Sequence, residues 1–247
     1  MKKHKKNTPM FDPQKMLLSE NSPFTVKEAY KTLRTNVMFS LPGNESKCIG
    51  VVSADRGDGK SSIALNLAIS FAQINKKVIV VDCDLRLPTI ASKLGIQAKP
   101  GLSNYLSGNQ EGSEPLIRRS KEYSVDVMTS GDVPPDSTTL LGSKQMASFI
   151  TFLKKYYDYI VLDFPPITIV SDAALLSNLV DGYLIVVRHN ESQYQKINET
   201  LRQMNFAEAK LLGFVYNGKD DHKKYYRKGK YSKYYYYSKY YYKKTDK

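Results

Sequence analysis

At 247 residues the chain is long enough for one substantial domain with appendages, and at 41% hydrophobic and 25% charged most of it can bury a core. The net charge of +13 belongs to the two ends: residues 1–6 carry four Lys and residues 219–247 carry 11 Lys+Arg against three Asp, leaving 22 basic and 21 acidic residues between them. No apolar run approaches the roughly 18 residues of a membrane span, no apolar stretch follows the basic N-terminus as in a secretory signal, and Cys48, Cys83, His4, His189 and His222 have the spacing of neither a disulfide framework nor a zinc site, so a cytosolic protein is expected.

Residues 1–21 are polar and lysine-rich, contain Pro9 and Pro13, and read as a flexible basic arm. Thr25 and Glu28 have capping-box spacing, which predicts a helix with Thr25 as N-cap. Val26, Tyr30, Leu33, Val37 and Leu41 continue it at helical spacing until Pro42-Gly43. Apolar, β-rich runs follow at 48–53, 78–81, 125–129, 159–162, 183–187 and 211–216, with helical stretches at 61–74, 143–157, 171–179 and 192–205 between most of them. These strands are continuously apolar, so both faces of their sheet are covered. The alternation predicts an α/β fold over residues 22–218, a mostly parallel sheet flanked by helices, with ligands at the carboxyl ends of the strands. Residues 219–247 hold ten Tyr and no Leu, Ile, Val, Phe or Met. That is too little aliphatic area to offset the entropy of ordering, and the segment reads as a disordered tail.

Four segments carry chemistry. Ala54-Asp55-Arg56-Gly57-Asp58-Gly59-Lys60-Ser61-Ser62 lies between a predicted strand and a predicted helix, where a phosphate-binding loop belongs, with Ala54 in place of the usual first glycine. Its glycines let the backbone curl so that N–H groups hold phosphate oxygens. Residues 55–62 are therefore the expected nucleotide-binding loop, with the Lys60 ammonium on the β- and γ-phosphates and the Ser61 hydroxyl on Mg2+. Asp82 and Asp84 emerge where the strand at 78–81 ends, and Arg86 and Leu87 break the pattern that a calcium loop would need. Asp163 ends the buried run at 159–162 and precedes Phe164-Pro165-Pro166, the placement of an acid that holds a metal directly or through water. Asn217 ends the last strand, where an amide suits an adenine edge and equally suits a turn before Gly218.

Together these segments resemble the bacterial tyrosine kinases of the capsular and exopolysaccharide type, in the short form, built on a P-loop NTPase architecture with Walker A, A′ and B motifs. The resemblance covers nearly all of residues 22–247. It rests on the Walker A segment at 53–62, the D-x-D-x-R-x-P segment at 82–88 and Asp163-Phe164-Pro165-Pro166. Gly101-Leu102-Ser103-Asn104-Tyr105-Leu106-Ser107-Gly108, Pro134-Pro135-Asp136 and the tyrosine-rich tail support it. The resemblance implies ATP and Mg2+ as cofactors. Lys60 would stabilise charge on the transferred phosphoryl, Ser61, Asp82 and Asp163 would organise Mg2+, and Asp82 or Asp84 would accept the tyrosine proton, Asp82 being favoured because it lies nearest the strand end. The phosphoacceptors it implies are Tyr225, Tyr226, Tyr231, Tyr234, Tyr235, Tyr236, Tyr237, Tyr240, Tyr241 and Tyr242.

Glu28, Lys31 and Arg34 match the family's E-x-x-R-x-x-R oligomerisation motif, with Lys31 where arginine is usual. A homo-oligomeric ring with phosphorylation between subunits is thereby implied. So are a separate transmembrane activator of the chain-length-determinant type, a position at the inner face of the membrane, and a phosphotyrosine phosphatase and sugar-metabolism substrates as further partners. Two other readings compete. ParA/MinD-like spatial regulators share the architecture, but they carry a lysine early in the phosphate loop, where this chain has Asp55, and do not usually end in a tyrosine cluster. Interleaved Lys and Tyr also suit nucleic acid or anionic lipid, a reading that leaves the phosphate loop unused, so nucleic acid is not expected as the main partner.

Overall fold

The computed structural model describes residues 16–109, 115–170 and 172–218; most of the predicted arm and the whole predicted tail lie outside the described residues. In chain order the elements are α1 (Phe24–Ser40), β1 (Lys47–Ser53), α2 (Lys60–Ala72), β2 (Val78–Asp82), α3 (Ile90–Leu94), α4 (Leu102–Ser107), β3 (Ile117–Ser120), β4 (Val125–Met128), α5 (Ser137–Leu141), α6 (Lys144–Leu153), β5 (Tyr159–Asp163), α7 (Asp172–Leu175), β6 (Gly182–Arg188), α8 (Tyr194–Phe206) and β7 (Leu211–Asn217). They form one seven-stranded sheet in the order β3-β4-β2-β5-β1-β6-β7. All neighbours are parallel except β3, which runs antiparallel to β4 at one edge. The α/β expectation therefore holds.

The central strands β1, β2 and β5 are buried at every position, which is why they read as unbroken apolar runs. Their alternate side chains feed two cores on opposite faces of the sheet. Cys48, Val52, Ile79, Val81, Ile160 and Leu162 pack with α4–α7, while Ile49, Val51, Val78, Val80 and Val161 pack with α1 and α2. Both cysteines are buried and free. Among the described residues no helix is long and apolar enough to cross a membrane.

Two local readings need correction. Helix α1 starts at Phe24 with Pro23 as its N-cap, and no side chain caps it. The Pro23 carbonyl accepts from the Val26 and Lys27 N–H groups, so the ring's fixed φ, not a Thr25 hydroxyl, sets the entry. Glu28 pairs instead with Lys31 at 2.7 Å. The last residues of the predicted arm are also anchored: Leu17 and Leu18 are buried, Leu18 N donates to Asn66 Oδ1 at 2.7 Å, and Asn66 Nδ2 donates to the Met16 carbonyl at 3.1 Å. The packed body thus begins by residue 16.

Gly50, in the middle of β1, permits a close approach across the sheet. A Cβ there would lie 2.4 Å from two ring carbons of Tyr183 and 3.2 Å from Phe164. Tyr183 is fully buried, and its hydroxyl donates to the Ala173 carbonyl at 2.7 Å, so its ring has no room to yield. Gly50→Ala is expected to cost about 1–3 kcal/mol by overpacking, read as a lower denaturation midpoint in urea at an unchanged slope.

Candidate active site

The loop of residues 54–59 leaves β1 and enters α2. Gly59, the residue before the helix, has φ +93°, and a Cβ there would meet Asn217 Nδ2 at 2.1 Å, so two independent constraints favour glycine. No side chain caps α2; its first-turn N–H groups are left for an anion. Ser61 is buried in that turn, Ser62 is half-buried, and Arg56 stands exposed at the rim.

The loop is braced from outside. Asp58 is 3% exposed and turns inward, accepting from Asp55 N at 3.1 Å and from Ser192 Oγ at 2.9 Å. Arg188 Nη1 donates to the Gly57 carbonyl at 2.6 Å, and Lys196 pairs with Asp55 at 2.6 Å. Asn217 Nδ2 donates to the Asp58 carbonyl at 2.7 Å. Its amide nitrogen thus fixes the loop backbone. Asn217→Ala is expected to weaken nucleotide binding about tenfold by releasing that carbonyl, with little change in turnover at saturating nucleotide; titration calorimetry and steady-state kinetics separate the two.

The parallel register of β2 and β5 sets Asp82 beside Asp163, so the two carboxylates arrive at adjacent strand ends. Asp82 Oδ1 accepts from Asp84 N and Oδ2 from Ile90 N, each at 3.2 Å. Asp84 Oδ1 accepts from Leu87 N at 3.1 Å, and its Oδ2 lies 3.0 Å from Lys60 Nζ. Neither oxygen of the wholly buried Asp163 accepts a hydrogen bond; Lys60 Nζ stands 3.9 Å from one of them.

Burial, with the Asp163 charge next, pushes the Asp82 carboxyl well above the ordinary carboxylate range. Burial likewise raises Asp163, against the opposing pull of the Lys60 charge and of the nearby Ser61 hydroxyl, which lies alongside without making a well-formed hydrogen bond. Lys60 shows the reverse balance. Burial disfavours its charge, but Asp163 and Asp84 more than offset that, so its ammonium is held more tightly than usual. Burial pulls half-buried Lys93 on α3 down, with the Lys60 charge adding to it and Asp163 opposing.

The Ser61 hydroxyl and the hydrogen-bond-free oxygens of Asp163 are hard oxygen donors of the kind Mg2+ takes. Among the described residues no three His, Cys, Asp or Glu side chains close into a cation cage, and Mg2+ is ordinarily held by one or two carboxylates plus phosphate oxygens and water. Lys60, Asp82, Asp84, Asp163 and the loop residues thus converge as expected from their order in the chain. Arg188, Ser192, Lys196 and Lys93 join them without having been foreseen. Away from this cluster, Glu28 and Lys31 form their own exposed pair on α1, and Arg34 Nη1 donates to the Ser70 carbonyl of α2 at 2.5 Å. The ten candidate phosphoacceptor tyrosines fall outside the described residues.

A mostly parallel sheet with a glycine loop opening α2 and acids at neighbouring strand ends defines a P-loop NTPase. The profile of the family described as ParA, NUBPL iron-transfer P-loop NTPase, matches residues 44–234. Tyrosine-protein kinase YwqD of Bacillus subtilis (strain 168) is 36% identical over 192 residues, spanning 78% of this chain and 81% of that protein. Tyrosine-protein kinase CpsD of Streptococcus pneumoniae serotype 4 is 35% identical over 195 residues, with 78% and 85% covered. Among solved structures, the kinase domain of Escherichia coli tyrosine kinase ETK superposes with a TM-score of 0.76 at 28% identity, covering 86% of each chain. The chain belongs to the bacterial tyrosine-protein kinases, on a ParA-type P-loop fold.

Proposed function

We propose that this kinase uses ATP and Mg2+ to phosphorylate the tyrosine cluster of its own C-terminal segment, between copies, and that the reaction regulates capsular or exopolysaccharide synthesis and export. The observation that carries this reading is one buried ammonium, Lys60, set among Asp82, Asp84 and Asp163 at the mouth of the phosphate loop, in a chain whose residues 219–247 hold ten tyrosines. In this reading the body from residue 16 to 218 forms the kinase domain and 219–247 the substrate segment.

The loop N–H groups and α2 hold the triphosphate. Lys60 exchanges Asp84 for oxygens of the transferred phosphoryl and stabilises the charge that develops on them. Ser61, Asp163 and Asp82 would hold Mg2+, which when bound supplies charge neutralisation across the β- and γ-phosphates. The incoming phenol oxygen forms its bond to the γ-phosphorus as the bond to ADP breaks, and the phenol proton passes to Asp82. Asp82 is favoured over Asp84 because it stands at the strand end beside Asp163, while Asp84 is paired with the Lys60 ammonium. Positioning dominates, since a loose transition state asks little of the base.

The same reading assembles copies into a ring through Glu28, Lys31 and Arg34. It places the chain in the cytoplasm at the inner face of the membrane through a separate transmembrane activator, and it takes a phosphotyrosine phosphatase and sugar-metabolism enzymes as further partners. Incubation of the purified chain with Mg-ATP followed by mass spectrometry of residues 219–247 tests it. Phosphate on several of Tyr225–Tyr242 is expected; ATP hydrolysis with no phosphotyrosine would overturn it in favour of a ParA/MinD-like regulator.

A further inference from the structure

We propose that the cavity walled by α4, α5 and the turn after β4 is the acceptor-docking site of the kinase, taking the lysine- and tyrosine-rich segment of a second copy. This rests on the reading above, in which that segment is the substrate. The cavity has a volume of about 930 Å³ and is tied to the catalytic acids through α5. Thr139 lines it, while the adjacent Thr138 Oγ1 accepts from Arg86 Nη2 at 2.8 Å and donates to the buried Asp172 at 2.9 Å. Arg86 lies two residues beyond Asp84, so one wall of the cavity and the proton-accepting loop share a single hydrogen-bonded chain.

Its floor is built, not incidental. Asn104 Oδ1 accepts from Gly101 N at 3.0 Å and from Asp132 N at 3.2 Å, and Asn104 Nδ2 donates to Asp132 Oδ2 at 2.7 Å. These bonds hold α4 and the turn after β4 at a fixed separation. Ser103 lines the same cavity at 3% exposure, and its hydroxyl has no hydrogen-bond partner.

The lining has the chemistry of a Lys-Tyr peptide. Pro100, Pro134 and Pro135 offer flat apolar faces on which phenol rings pack. Asp136 supplies a carboxylate held below the ordinary range by the hydroxyl and N–H of Thr139, and Asp132 supplies a second, held below it by hydrogen bonds from Lys99 and Asn104 and shared with the Lys99 ammonium on the same lining. Both therefore stay charged at neutral pH. On the other side, lysine directly precedes tyrosine at Tyr225, Tyr231, Tyr234 and Tyr240, and residues 219–247 carry 11 Lys+Arg against three Asp. Each such dipeptide brings a cation for the carboxylates beside a phenol for the proline faces. Phosphorylation adds about −1.5 to −2 charges per tyrosine, so a modified segment is repelled by the same two acids and leaves.

The test uses two full-length chains. The donor has all ten tail tyrosines changed to Phe; the acceptor carries Lys60→Met, so label on the acceptor reports transfer between copies. In the donor, Asp132→Asn with Asp136→Asn keeps the Asn104 clamp and a competent helix cap while removing both charges. It is expected to lower kcat/KM for the acceptor about tenfold, as for the loss of two exposed ion pairs, with KM for ATP unchanged. Exposed Val133 on the same lining separates charge from structure: Val133→Arg in the donor should lower kcat/KM for the acceptor and Val133→Glu should raise it. Equal rates for the parent donor and all these variants overturn the docking site while leaving the kinase reading intact. A parent donor that labels no tyrosine of the acceptor defeats the kinase reading itself.

Discussion

Lys60→Met is expected to lower tyrosine phosphorylation by at least about a hundredfold, the usual effect of removing one preorganised charge from a transition state, while the protein remains folded. Methionine is close to lysine in length and fills the same space. The side chain is 12% exposed and serves as the counter-charge for Asp84 and Asp163. Its loss drives Asp82 and Asp163 further toward their protonated forms, because burial already favours protonation of both. The secondary-structure content should therefore match the parent by circular dichroism while an anti-phosphotyrosine blot is blank. A blot of parental intensity would remove Lys60 from the machinery.

Asp163→Asn should combine loss of activity with a gain in stability. Its carboxylate is fully buried, accepts no hydrogen bond, and has its pKa raised by burial. A carboxyl raised in the folded state binds more protons there than in the unfolded chain, so the folded state loses stability as pH rises from the unfolded pKa of about 3.9 through the folded value. Removing the group relieves that loss. At pH 7–8 the variant is expected to melt about 2–8 °C higher, equivalent to about 1–2 kcal/mol in a domain of this size, and the difference should shrink as pH falls toward 4. Phosphotyrosine should fall at least about a hundredfold in the same variant if, as proposed, this oxygen holds Mg2+. A melting difference that stays constant from pH 4 to pH 8 would show that the Asp163 charge is not what strains the fold.

Legibility in the chain followed the range of the interactions. Strands β1, β2 and β5 announced themselves because burial on both faces leaves only apolar residues, and the loop at 54–59 because glycine and lysine spacing is a local pattern. Asp82 and Asp163 were readable as strand-end acids, and parallel registration then brought them side by side. The braces were not readable. Arg188, Ser192 and Lys196 reach the loop from 131 to 141 positions away, and no spacing rule connects residues that meet only because β6 lies next to β1. Asn217 was visible as a strand-ending amide, yet its partner, a backbone carbonyl 159 residues earlier, has no side-chain signature. Strand β3 and helices α3, α4 and α5 each run only four to six residues, too short for a period to emerge. Leu17 and Leu18 were in plain sight, but a lysine-rich neighbourhood masked two core residues.

The long reach of those braces also bears on how the protein is born. Chains emerge from the ribosome N-terminus first and domains fold as units, so the phosphate loop leaves the exit tunnel more than a hundred residues before Arg188, Ser192, Lys196 and Asn217 can hold it. Tight nucleotide capture is consequently a property of the finished body alone, and a truncated translation product ending before β6 carries the loop as an idle sequence.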